Sequence, residues 1–280
     1  MTEASSVMPL RSTWSEYRRR MEWVNADAGP SSYGEYPAVE TDRLSARTIV
    51  VPPCHFGIPV AGESENIYVG IEGSIEVVLE GDEVFTIGPR DVLRLCSGTP
   101  HYLSNSAFSH SLVGRFSALL PQKPTGEFPK VELLKWDEYK RAIAWNLPLA
   151  DQWGMHRGQA PYLISEVVKG HTVLQPPGQS TPWHLTSRDL IFVGLSGSVE
   201  FAAAGQVWAL GAADLFMLPG NIPYRYSNHA LETAVFFDIG SVYGTDMDPP
   251  TRVYFQRDPG WPVDLDTPEL ETEFSVSRSK

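Results

Sequence analysis

Tyr68-Val-Gly-Ile-Glu-Gly-Ser-Ile-Glu76 and Phe192-Val-Gly-Leu-Ser-Gly-Ser-Val-Glu200 are one nine-residue pattern written twice. Five positions are identical, and Tyr/Phe, Ile/Leu and Ile/Val fill three of the other four. The match continues downstream: Gly88 with Gly211, Asp91 with Asp214, Pro100 with Pro223, Asn105 with Asn228. It also extends upstream, where Trp14-Ser-Glu-Tyr17 resembles Trp136-Asp-Glu-Tyr139. The two copies lie 122 to 124 residues apart. A repeat of this kind decides the architecture before any local reading does.

Within each copy the apolar residues alternate. Ile75, Val77 and Leu79 share one face of a strand, and Glu76 and Glu80 share the other. Glu80-Gly81-Asp82 and Ala204-Gly205 read as hairpin turns. Gly88-Pro-Arg-Asp91 and Gly211-Ala-Ala-Asp214 read as turns before the strands Val92–Leu95 and Leu215–Leu218. Short strands at such spacing predict an all-β sandwich or barrel in each half. Each β region is preceded by a predicted amphipathic helix, with Trp14, Tyr17 and Met21 on one face of the first and Trp136, Tyr139 and Ile143 on one face of the second. Thr13 and Glu16 suit a capping box. These helices can pack on their own barrel or on the other. The expected organisation is a helix and barrel over 1–120, a Pro-rich linker over 121–135, a helix and barrel over 136–245, and an extended tail over 246–280.

Composition narrows the function. With 22 basic and 34 acidic side chains the chain carries a net charge of −12, which disfavours nucleic acid and anionic lipid. No apolar run is long enough to span a bilayer, and the first 25 residues lack a signal pattern, so a cytoplasmic location is expected. Cys54 and Cys96 are too few for a disulfide framework, and a buried free thiol is expected at each.

The turns carry a family resemblance. Gly88…Cys96-Ser-Gly98-Thr-Pro100-His101-Tyr-Leu-Ser-Asn105 resembles the second motif of the cupins, and so does Gly211…Pro219-Gly220-Asn-Ile-Pro223-Tyr224-Arg-Tyr-Ser-Asn228. Gly73 and Gly197 match the glycine that closes the first cupin motif. The whole resembles a bicupin, two jelly-roll β-barrels in tandem. The resemblance implies a metal held by three His and one Glu on inward-facing strands. Here the acid positions fall on Asn66 and Leu190, with Glu65 and Asp189 beside them. One His position is filled in each half, by His101 in the first and His184 in the second, and Tyr224 stands where the second half would have its last His. No cofactor is therefore expected. Should Fe, Mn, Ni or Zn bind, the donors would be His184 and Asp189, or His101 and Glu65.

A barrel without metal is still a concave apolar pocket for a small molecule. The second half supplies the richer set: Trp183, Phe192, Trp208, Tyr226 and Phe236 to surround a substrate, His184 and Tyr224 to exchange protons, and Asp189 to orient His184. The first reading is an enzyme of isomerase, lyase or cyclase type. A metal-dependent bicupin dioxygenase is the second, and a non-catalytic small-molecule binder the third. The expected partners are a small-molecule substrate and a second copy of the chain in a homodimer.

Overall fold

The computed structural model describes residues 8–24, 32–41, 43–60, 64–118, 129–145, 158–159, 163–165, 167–181, 183–186, 188–241, 251–254 and 270–274. Among them no helix is long and apolar enough to cross a membrane. Most of the linker and tail, and the glycine-rich stretch around His156, lie outside the described residues.

Four antiparallel sheets form two jelly-roll barrels, as the repeat predicts. The first barrel pairs the sheet built on Glu65–Glu72, Ser111–Ala118 and Leu44–Val51 with a smaller sheet of His55–Val60, His101–Asn105, Ile75–Leu79 and Val84–Ile87. The second repeats this with Leu190–Ser196, Ala234–Ser241 and Val168–Gln175 against Val199–Ala203, Tyr224–Ser227 and Trp183–Leu185. Strand alternation divides the large sheets cleanly. Val173, Leu190, Phe192, Phe216 and Phe236 fill the second barrel. Their strand neighbours Ile191, Val193, Leu215, Phe237 and Ile239 meet Ile67, Val69, Val92 and Phe116 of the first barrel in one shared core. Within 246–280, Thr251–Tyr254 and Leu270–Phe274 form a hairpin on the smaller sheet of the second barrel.

Repeated residues have repeated tasks. Asn105 Nδ2 donates to the carbonyls of Val51 and Ser109, and Asn228 Nδ2 to those of Gln175 and Glu232. Each asparagine thus ties the loop that follows it to a neighbouring strand end. At the Ala204-Gly205 hairpin both residues have positive φ, the conformation a two-residue turn with native twist requires.

The segments ahead of the barrels are exchanged. Leu10–Ser12 pairs with Leu215–Leu218 of the second barrel, and Val131–Leu134 pairs with Val92–Leu95 of the first. The first predicted helix is a single turn, Trp14–Tyr17, and the second is Trp136–Tyr139 followed by a 3-10 turn over Lys140–Ala142. The first stops short of Met21 because Glu22–Val24 pairs with Tyr33–Glu40 as a strand. The Thr13 hydroxyl bonds the Glu16 carboxylate at 2.5 Å, and the expected capping box does not form. The cap comes instead from the other half: Asp214 Oδ1 accepts the Trp14 N–H at 2.7 Å while Oδ2 accepts Gly211 N–H. Asp91 does the same for Trp136 and Gly88. Tyr17 OH donates to the Ala213 carbonyl and accepts from Thr48, so one hydroxyl spans both barrels. Tyr139 OH repeats this with Arg90 and Thr172.

Each clasp therefore hangs on one carboxylate. Asp214→Ala leaves two N–H donors without their acceptor and is expected to lower stability by about 2–3 kcal/mol. Asp91→Ala should lose at least as much, because Asp91 also pairs with Lys135, and Asp214→Asn should lose less. Urea unfolding of the three variants checks this; a loss confined to one clasp would contradict their equivalence.

Candidate functional site

In the second barrel, Trp183–Leu185 and Tyr224–Ser227 run antiparallel with His184 directly opposite Tyr224. The two rings lie 5.4 Å apart at 28°. Tyr226, two residues on and so on the same face, is nearly parallel to the imidazole at 6.1 Å. His184 is 4% exposed and Tyr224 6% exposed. Phe192 packs edge-on to Tyr224, and Phe201, Phe216 and Phe236 continue the aromatic lining. Trp208 packs on Phe216 at the edge of the same cluster.

Two residues expected in this group lie elsewhere. Trp183 precedes inward-facing His184 and so turns to the opposite face, where Arg225 covers its ring at 5.2 Å. Asp189 Oδ1 accepts the Gly220 N–H at 2.9 Å. Its carboxylate ties down the turn after Leu215–Leu218, four residues before Tyr224.

Alternation along the large sheet places further polar groups inside. His171 and Asp238 are register partners, and Nδ1 and Oδ1 lie 2.8 Å apart. One row further along, Lys169, Gly240, Leu190 and Leu218 are in register, and the Arg188 side chain crosses Gly240. The parity of His171 with Val173 is the signal in the sequence that it faces inward. His110 and His229 are exposed beside Glu72 and Glu200.

The first barrel holds a different pair. His101 is opposite Val60, the counterpart of His184 opposite Tyr224. The Thr99 carbonyl can only accept, so His101 Nδ1 carries the proton at that 2.8 Å contact. Nε2 then accepts from Tyr68 OH at 2.6 Å. Arg47 and Arg115 both reach Glu35 in the same interior, at 2.5 and 3.4 Å. Sequence reading missed this trio, although Arg47 shares parity with Ile49 and Val51. Glu65 does not join His101. It shares parity with Ile67 and Val69, on the face toward the other barrel, where Arg94 lies 3.6 Å away.

Burial pushes the His101 imidazole below its ordinary value of 6.5, and the Arg115 guanidinium adds to this against the Thr99 hydrogen bond. The unfolded chain thus binds this proton more readily than the folded protein. Stability is expected to be full above that value and to fall on acidification below it. Urea midpoints at about pH 7 and about pH 5 should show the fall, and His101→Gln should reduce it; an equal fall in the variant would assign it to other groups.

A three-His, one-Glu metal centre does not fit the residues present. The four positions hold one imidazole per barrel with Asn66 or Leu190 at the acid position. Among the described residues no three His, Cys, Asp or Glu side chains converge. Neither cysteine is a buried thiol. Cys54 is exposed and in a left-handed turn, and Cys96 is half-buried beside Arg94 and the Pro129 carbonyl.

Comparison with known proteins agrees with the fold. Residues 171–240 match the family model described as Cupin domain. No curated protein matches the sequence. Among solved structures, AerE from Microcystis aeruginosa superposes with a TM-score of 0.60 at 12% identity, covering 80% of this chain and 97% of its own. Salicylate 1,2-dioxygenase from Pseudaminobacter salicylatoxidans gives 0.63 at 12% identity, with 83% of each chain covered. A protein of Pseudomonas aeruginosa described as glyoxylate-induced gives 0.62 at 13%, covering 79% of this chain and 81% of its own. Residues 171–240 are a cupin domain by sequence, and the chain as a whole has the bicupin fold.

Proposed function

We propose that the chain is an enzyme that moves protons on a small organic molecule inside the second barrel, with chemistry of isomerase, lyase or cyclase type. The observation that supports this reading is the register pairing of His184 with Tyr224 among buried aromatic rings. A neutral imidazole takes a proton from carbon, and a phenol O–H returns one to a neighbouring atom. Tyr226 and Phe192 supply flat walls for a planar substrate, and their rings exclude the water that would otherwise intercept the proton. Asp189 acts at one remove, through the turn that leads into Tyr224.

Solvent exchange tests the reading without knowledge of the product. Small keto acids and enolisable ketones are incubated with the protein in D2O and followed by proton NMR. Deuterium entering a carbon position in a His184-dependent manner supports proton transfer; exchange that survives both His184→Gln and Tyr224→Phe overturns it.

A metal-dependent dioxygenase is the second reading, favoured by the likeness in fold to the salicylate 1,2-dioxygenase. Elemental analysis separates the two. About one equivalent of Fe, Mn, Ni or Zn per purified chain, with activity restored by Fe(II) or Mn(II) after chelation, would replace the first reading by the second.

A further inference from the structure

We infer that the small molecule of the second barrel carries a carboxylate, and that Arg188 receives it. The inference rests on the reading that this barrel takes a small organic ligand. Arg188 is 8% exposed, yet among the described residues its Nε and Nη1 have no hydrogen-bond partner. A guanidinium stays protonated in any protein environment. Leaving those two nitrogens buried without an acceptor is strongly unfavourable, and an anionic ligand would complete them.

The space around it is shaped for the purpose. Gly240 shares parity with Ala234 and Phe236, which face the barrel interior. A Cβ at Gly240 would stand 2.8 Å from Arg188 Cδ and 3.2 Å from its Nε. The missing side chain therefore lets the guanidinium lie across the inner surface of the sheet. Lys169 is the register partner of Gly240 and adds positive charge to the same row. The neighbouring acids face other groups: Asp238 meets His171, and Asp189 meets Gly220 N–H.

The duplication supplies an internal control. In the first barrel the corresponding positions are Ser64 and Ser117, so the jelly roll itself requires neither the arginine nor the glycine. A planar fork of N–H groups matches the two oxygens of a carboxylate in one bidentate contact. The same fork also suits phosphate, and the flat aromatic rings beside the row favour a planar carboxylate. Leu190, in the Arg188 row, is two residues from Phe192, about 7 Å along the strand. An aromatic or similarly flat carboxylate would place its charge on Arg188 and its body among Phe192, Tyr224 and Tyr226.

Fluorine NMR of 4-fluorobenzoate with the full-length protein tests this, with 4-fluorobenzamide as the neutral match. The carboxylate should bind, and the amide should bind about 10- to 100-fold more weakly. Arg188→Met should bring the carboxylate down to the amide. Gly240→Ala keeps every charge but displaces the guanidinium, and should weaken the carboxylate alone; it also serves if Arg188→Met does not fold. Equal binding of the two probes, binding unchanged in both variants, displacement by equimolar inorganic phosphate, or loss in Arg115→Met instead would each overturn the assignment. Failed solvent exchange with intact probe binding would sink the acid–base reading alone.

Discussion

His184→Gln is expected to slow the D2O exchange reaction by about 10²–10⁴-fold while the protein stays folded, because a general base usually contributes that much. Gln keeps most of the imidazole volume, so the aromatic rings around it lose little packing. Tyr224→Phe should give a loss in the same range, since it removes only the hydroxyl and leaves the ring in contact with Phe192. The double variant should be little worse than either single one if the two groups act on one proton path. His101→Gln is the control: its partners are Tyr68 and Thr99 in the other barrel, and exchange should be unchanged. Full loss in the control with normal exchange in His184→Gln would move the chemistry to the first barrel.

Gly194→Ala is expected to be one of the two most damaging alanine substitutions at the described glycines. Its Cβ would stand 1.8 Å from the Gly211 carbonyl oxygen, far inside any real contact, and the obstacle is backbone that cannot rotate away. Gly194 also exchanges backbone hydrogen bonds with that turn, donating to Asp214 and accepting from Ala213. Pushing the turn outward breaks those bonds and drags Asp214 off Trp14, so the barrel and the clasp fail together. A loss of more than about 3 kcal/mol, or no soluble protein, is the expected result. Gly70→Ala repeats the geometry against Gly88 at 1.9 Å and should be as severe. A urea midpoint within experimental error of the parent for either variant would refute the close approach.

Much of this fold was legible because the repeat supplies two independent readings of each element. Tyr68 to Glu76 and Phe192 to Glu200 needed only alternation and the turn glycines to become strands and hairpins. The site was legible only where alternation was applied with the correct starting residue. Glu65 and Trp183 are each one position from an inward-facing residue, and one position reverses the face. His171, Arg188, Arg47 and Arg115 carry the opposite lesson. They are charged or titratable groups at inward parity, where a sequence habit of assigning such side chains to water fails. The destination of the clasps was not legible, because Trp14-x-x-Tyr17 and Trp136-x-x-Tyr139 fit equivalent turns and nothing in either motif names a barrel.

The exchange of those segments sets a schedule on synthesis. The first barrel receives Val131–Leu134 soon after its own strands are made. Leu10–Ser12 waits for its partner strand, Leu215–Leu218, in the other half. Trp14 and its capping carboxylate are 200 residues apart, which at ordinary elongation rates is a wait of roughly 10–40 s. During that interval the strand edge and the indole have no barrel to dock on. Arg11, Ser12, Thr13 and Ser15 surround them with polar side chains, a composition suited to a segment that must stay soluble on the ribosome until the second half arrives.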